Sequence, residues 1–297
     1  MLNVFFEKKS TAEIHSVHEL LPLEEVIFLY ENDLLRLDKN PTLGAPAIYN
    51  NTGELESLPH ISCTLPKIFE GIKVDELIYF DDGKIEGIIK EVYPEYLIVK
   101  ITSTKKNGGK LKADKGINLP NSHLNINGLT EKDKADLKFV AKYSDLVNFS
   151  FVNSKNDVQE LLNELKSLEG SIGIILKIET KEAFKNLPSI LLKGMENYPI
   201  GVMIARGDLA IETGWKNFAI IQEEILQLCD VAHLPDVWAT QVLENLAKKG
   251  IPTRAEITDA GMSQRAECVM QHKAPYNLKA IKRLHNKLTR IEKIQNK

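Results

Sequence analysis

From about Leu146 to the C-terminus, short apolar runs rich in β-branched residues alternate with longer stretches whose apolar residues recur at helical spacing. That repetition restricts this part of the chain to folds built on a parallel sheet with crossover helices. The strand-like runs are residues 146–152, 172–178, 200–205, 236–239 and a weak 268–270. The helical stretches carry start signals. "SKNDVQELLNELKSL" opens on Ser154 as a cap, "WKNFAIIQEEILQLCDVA" follows the third run, and "APYNLKAIKRLHNKLTRIEKI" has Pro275 near its start. The fold class is α/β, either an open doubly wound sheet or part of a (β/α) barrel.

Residues 20–119 differ in kind. Short alternating runs such as "ELIYFDD", "KIEGIIKEV" and "YLIVKITST" are separated by turn signals and read as a small all-β unit. Asp81-Asp82-Gly83-Lys84 is a hairpin signal, because Asp and Gly accept the positive φ that tight turns need. "KKNGGKLKADKG" is a second loop rich in Gly and Lys, and residues 1–19 are unassigned.

Two runs end in charge. "IILKIET" ends in Lys177-Ile178-Glu179, and "GVMIARGDLAIE" passes into Arg206-Gly207-Asp208, which reads as a loop leaving a buried strand. Residues two apart on a strand share a face, so Lys177 and Glu179 are expected to project together. In parallel α/β folds the C-terminal strand ends form the active site, which brings Lys177, Glu179 and Asp208 into one region. Two hard carboxylates suit Mg²⁺ or Mn²⁺, and Lys177 is placed to face an anion held by the metal. Gly207 removes a side chain where backbone approaches a ligand, and the N–H groups from Ala205 to Asp208 suit a carboxylate. Against this, a lone Asp after Arg-Gly is commonly a cap, and Lys-x-Glu is commonly a solvated ion pair. Thr240, after the next run, offers a hydroxyl at the same end, although Thr is also a common helix cap.

Composition narrows the function classes. A net charge of −3 over 297 residues offers no basic excess for a nucleic acid, and no apolar run approaches a membrane span. Cytoplasmic placement is expected. Cys63, Cys229 and Cys268 are odd in number and widely spaced, as reduced and mostly buried thiols are. Lys105, Lys106, Lys110, Lys112 and Lys115 read first as a solvated loop and second as a phosphate-attracting one. His233 and His272 lack partners at ligand spacing and read as structural. No phosphate-binding P-loop, dinucleotide fingerprint, zinc-protease helix or serine-nucleophile elbow is present.

"KADKGINLP", "LTEKDKADLKF", "FSFVNSKNDV", "IILKIET", "GVMIARGDLAIE" and "WATQVLENLAKKGIPTRAEITDA" stand in the order and spacing seen in pyruvate kinase. The chain resembles that family, and its divergent bacterial branch in particular, from about Asp33 onward. The resemblance implies a partial (β/α) TIM-type barrel of about five βα units over residues 120–297, with the all-β stretch 20–119 as an inserted lid. It implies phosphoryl transfer from phosphoenolpyruvate to ADP, giving pyruvate and ATP. Glu179 and Asp208 match the Mg²⁺ or Mn²⁺ ligands. Lys177 matches the lysine that stabilises the moving phosphoryl group, and Thr240 the threonine near the carbon that receives a proton. The backbone at Ala205, Arg206 and Gly207 matches the substrate-carboxylate cradle, while Lys115 and Asp82 fall on the nucleotide side. K⁺ is a family cofactor whose site has no counterpart here.

The departures are also specific. The family's first three βα units, with their phosphoryl-gripping arginine, and its C-terminal regulatory domain have no counterpart. Asn153 stands where the family usually has arginine, Asp236 puts a charge at the start of a buried strand, and "VMQHKAPY" replaces a Ser-Gly-Glu motif. Two alternatives stay open. One is a non-catalytic or split subunit that needs a partner, as a homo-oligomer or with a complementing chain. The other is a metal-dependent aldolase-type barrel acting on pyruvate or phosphoenolpyruvate, against which Lys177 and the lid weigh.

Overall fold

The computed structural model describes residues 2–8, 11–17, 26–122, 124, 128–197, 199–271 and 273–295. His272 therefore lies outside the described residues. The N-terminal stretch left unassigned from sequence contains an antiparallel pair, Leu2–Lys8 with Thr11–Val17.

The β-rich stretch centres on a six-stranded sheet. Its strands lie in the order Ile117–Asn118, Leu77–Phe80, Ile85–Val92, Tyr96–Ser103, Leu34–Asp38 and His60–Ser62. All pairs are antiparallel except the last, which is parallel. Alternation decides what is buried. Ile78, Phe80, Ile85, Ile89, Leu97, Val99 and Ile101 are fully covered, while Glu86 and Lys100 between them reach solvent more. A separate two-stranded pair joins Ile27–Leu29 to Gly109–Leu111. The expected hairpin links Leu77–Phe80 to Ile85–Val92. Asp81, Asp82 and Gly83 all take positive φ there (52°, 55° and 74°), a wider left-handed turn than a two-residue one.

The second half holds a parallel sheet of Leu146–Phe149, Gly173–Ile178, Ile200–Ala205, Asp236–Ala239 and Cys268–Val269, in that spatial order. Ile174, Leu176, Ile178, Val202 and Ile204 are fully buried, which is why these strands read as continuous apolar runs rather than alternating ones. Helices Lys155–Ser167, Leu187–Gly194, Trp215–Ala232 and Asn277–Gln295 contribute to the cover. The start of the first is fixed by a capping box between Ser154 and Asp157, and those of Glu131–Tyr143 and Arg254–Met262 by boxes at Thr130 and Thr253. His233 ends Trp215–Ala232 in the left-handed conformation. Cys63 and Cys229 are buried and Cys268 is exposed, and all three are free thiols, as expected of a mostly buried set. No described helix is long and apolar enough to cross a membrane.

Among the contacts that join the halves, two lie at the hairpin and the strand beside it. The hairpin tip sits on the helix Arg206–Thr213, where a Cβ added at Gly83 would lie 3.3 Å from Ile211 Cδ1. Beside it, Asn118 Nδ2 donates to Asp208 Oδ1 at 3.0 Å.

Candidate active site at the strand ends

Lys177 and Glu179 leave the Gly173–Ile178 strand on the same side, as their spacing of two requires. Lys177 Nζ lies 2.8 Å from Glu179 Oε1 and donates to Ser150 Oγ at 2.9 Å. Glu179 is 2% exposed, and its Oε2 accepts from the Phe151 N–H at 2.5 Å. Burial raises the Glu179 carboxyl above the ordinary range, opposed by Lys177 and the Phe151 amide, and the nearby Asp208 charge raises it further.

The trio read as a loop is a helix start. Ile200–Ala205 passes straight into Arg206–Thr213, with Ala205 as the cap and no side chain bonded to the first amides. Unfilled amide donors and the positive end of the helix dipole thus sit at the strand end. A Cβ added at Gly207 would meet only Thr240 Oγ1, at 3.9 Å, so the space above these amides is open. Asp208 and Glu212 lie one turn apart on the same helix. Burial, with the Asp208 charge second, pushes Glu212 up to about 7, opposed by a hydrogen bond from Asn118. Asn118 is itself buried and its Oδ1 has no partner.

At the neighbouring strand end the backbone is strained. Thr240, Gln241 and Leu243 have φ of 67°, 56° and 52°. For a β-branched residue such as Thr this is a conformation costing about 1–3 kcal/mol, held only where the surroundings fix it.

The remaining sequence candidates are placed differently. Lys115 Nζ pairs with Asp81 Oδ1 at 3.3 Å, and Asp81 also pairs with Lys84. Asp82 is exposed at the hairpin tip. Asn153 is held by its neighbours, its side chain accepting from Thr180 Oγ1 and its carbonyl from Asn186 Nδ2. Sequence reasoning missed Asn118, Glu212, Ser150 and Asp259 near these groups. Asn118 lies inside the quoted "KADKGINLP" and Glu212 one turn after Asp208, so motif and period held a signal for those two. Among the described residues no group of three His, Cys, Asp or Glu side chains could hold a metal, so a cation here would rest on two carboxylates with water or substrate oxygens. Mg²⁺, which keeps several waters, accepts such a donor set. A cleft of about 2370 Å³ lies beside this cluster and is lined by Lys115, Asn118, Ser150 and Glu212, among others. Lys177, Glu179, Asp208 and Thr240 do not line it, and the site is placed at the strand ends because the reactive groups are there.

The arrangement defines an α/β chain of barrel type that carries a lysine, two carboxylates and free amide donors at its strand ends. A family model described as "Pyruvate kinase, barrel domain" matches residues 46–273. The pyruvate kinase of Debaryomyces hansenii is 34% identical over 229 residues, 75% of this chain and 44% of that protein. That of Geobacillus stearothermophilus is 32% identical over 257 residues, 84% of this chain and 43% of the relative. The human protein named pyruvate kinase PKLR is 35% identical over 227 residues, 74% and 38% respectively. The chain belongs to the pyruvate kinase family. It spans less than half the length of these relatives.

Proposed function

We propose that the strand-end cluster performs phosphoryl transfer from phosphoenolpyruvate to ADP, giving pyruvate and ATP in the cytoplasm. The observation that carries this reading is the half-buried Lys177 paired with the buried Glu179 and set beside Asp208 and the open amides of Arg206–Thr213. Lys177 carries the positive charge that steadies the phosphoryl oxygens as the bond to the enol oxygen breaks and one to the terminal ADP oxygen forms. The amides around Ala205, Arg206 and Gly207 hold the substrate carboxylate. Thr240 stands on the side where the enolate carbon takes its proton. Glu179 and Asp208 would hold Mg²⁺ or Mn²⁺, which supplies charge neutralisation and alignment of the substrate oxygens. The β-rich stretch 20–119 acts as a lid over the nucleotide, with Lys115 and Asp82 on that side. K⁺ is the family's second cation, and no described residue is assigned to it.

A coupled assay of pyruvate formation from phosphoenolpyruvate, ADP and Mg²⁺ tests this. Lys177→Met should lower kcat by about 10²- to 10³-fold with little change in the Michaelis constant, as when transition-state charge stabilisation is lost. Full activity in Lys177→Met would overturn the assignment.

A second reading is that turnover needs further βα units from a partner or from another part of a longer chain. The parallel sheet favours it, because Leu146–Phe149 is an edge strand with Leu146, Phe151 and the nearby Phe139–Tyr143 ring pair exposed. Adding a fragment with the first three βα units of a relative should then raise both thermal stability and activity. No gain in either would remove this reading.

A further inference from the structure

Arg206 was expected to contribute backbone alone, yet its side chain is the most heavily engaged at the site. It is 10% exposed. Nε donates to the Ala239 carbonyl at 2.8 Å, and Nη2 donates to the Thr240 carbonyl. Nη1 and Nη2 both reach the Asp259 carboxylate, the latter at 3.0 Å, and the guanidinium lies 4.6 Å from the centre of the Trp238 ring. A planar fork of donors suits this, because it meets two carbonyls and a carboxylate at once in fixed directions.

The two carbonyls belong to the residues where Asp236–Ala239 ends and the left-handed run of Thr240 and Gln241 begins. Fixing the oxygens of residues 239 and 240 fixes the peptide planes on both sides of the Thr240 Cα. The φ of Thr240, and with it the direction of its side chain, is thereby set. Asp259, on Arg254–Met262, neutralises the buried guanidinium and keeps it turned toward that corner.

We propose that Arg206 is a positioning residue whose guanidinium, anchored by Asp259, holds the left-handed corner at Thr240 and so sets the Thr240 hydroxyl over the open space at Gly207. Its effect on turnover rests on the phosphoryl-transfer reading; its effect on backbone geometry does not. The step it serves is delivery of a proton to the enolate carbon, which ends as the methyl group of pyruvate. Microscopic reversal makes that step visible as exchange of pyruvate methyl protons with solvent deuterium.

The full chain is compared with Arg206→Lys, Asp259→Asn, Thr240→Ala and the double variant Arg206→Lys/Thr240→Ala. Two readouts are taken: ¹³C shifts of residue 240, and methyl-proton exchange of pyruvate in the presence of Mg²⁺ and ATP. Lysine keeps the charge but loses the fork, so Thr240 should leave its positive-φ shifts. Exchange should fall about 10- to 100-fold, with the Michaelis constant for pyruvate changed by less than about threefold. The double variant should exchange no more slowly than Thr240→Ala, since the arginine acts only through that residue. Unchanged Thr240 shifts in a folded Arg206→Lys chain, or multiplying losses in the double variant, would overturn the proposal. Should Arg206→Lys fail to fold, Asp259→Asn decides by the same shifts. If the wild type shows neither exchange nor transfer, the phosphoryl-transfer reading fails, and the Thr240 shifts still judge the strut.

Discussion

Asp236→Asn should make the protein more stable, and increasingly so as the pH rises. Asp236 is 1% exposed at the head of the strand that ends in Thr240, and its Oδ1 has no hydrogen-bond partner. Burial first, then the charges of Glu267 and Asp230, push its carboxyl up from 3.8 to about 7, while Arg265 opposes them. The sign comes from proton counting. Between the unfolded value near ~4 and the folded value near 7, the native state holds a proton that the unfolded chain has released. The native state therefore carries no penalty below the lower value, loses stability steadily through the window, and bears the full penalty above the upper one. A window about three pH units wide corresponds to about 4 kcal/mol as an upper bound. Local relaxation and water entry reduce this by roughly half, leaving about 2 kcal/mol for asparagine to recover. For a chain of this size that is a rise in Tm of roughly 4–8 °C at pH 8.5, and about half as much at pH 5.5. Thermal melts followed by fluorescence of the buried Trp238, two residues along the same strand, measure it directly. A gain that is equal at both pH values, or a loss, would refute the reasoning.

Three further outcomes are expected. Gly207→Ala should leave the melt within ~1 kcal/mol of wild type, because the nearest atom to the new methyl is Thr240 Oγ1 at 3.9 Å, yet weaken binding of oxalate in the presence of Mn²⁺ by more than about tenfold. Isothermal titration separates the two effects, and unchanged binding would show that the amides of Arg206–Thr213 are not the carboxylate cradle. Glu179→Gln should lower Mn²⁺ affinity by at least about tenfold, read from the free-ion paramagnetic resonance signal, and equal affinity would remove Glu179 from the metal site. Gly83→Ala should cost about 1–2 kcal/mol, since the residue has φ of 74° and faces Ile211. Hydrogen exchange should then speed up at the hairpin tip, and protection equal to wild type would mean that the tip does not need its close approach to the helix.

Much of this architecture is written locally. Capping boxes at Ser154, Thr130 and Thr253 span three residues each, and the apolar runs of the parallel sheet are continuous because both faces are covered, so the sequence displays them directly. The pairing of Lys177 with Glu179 is likewise a matter of spacing by two. Contact across distance is the part that stays hidden. Asn118 meets Asp208 from 90 positions away, and Arg206 meets Asp259 from 53, and no periodicity encodes either. The start of Arg206–Thr213 was also hidden, because Arg-Gly-Asp resembles turn chemistry and the helix has no capping side chain to announce it. Asp236 was legible only as a misfit. Its burial shows that the sheet accepts a carboxyl there at a raised proton affinity rather than turning it outward.

The order of the two sheets has a consequence for the chain as it is made. Strand Ile27–Leu29 waits for Gly109–Leu111, and Leu34–Asp38, although it meets His60–Ser62 early, waits for Tyr96–Ser103 on its other edge, so the six-stranded sheet is not complete until most of the stretch has left the ribosome. The parallel strands behave in the opposite way, since each lies beside the one synthesised just before it. Once Leu146–Phe149 has emerged, each later strand of this sheet finds its docking edge already in place, and the second half can grow by accretion without a long search. A pause in translation between residues 122 and 146 would therefore fall at a point where the finished part holds no unpaired partner for the strands still to come, whereas a pause near residue 90 would leave one edge of Leu34–Asp38 exposed and waiting.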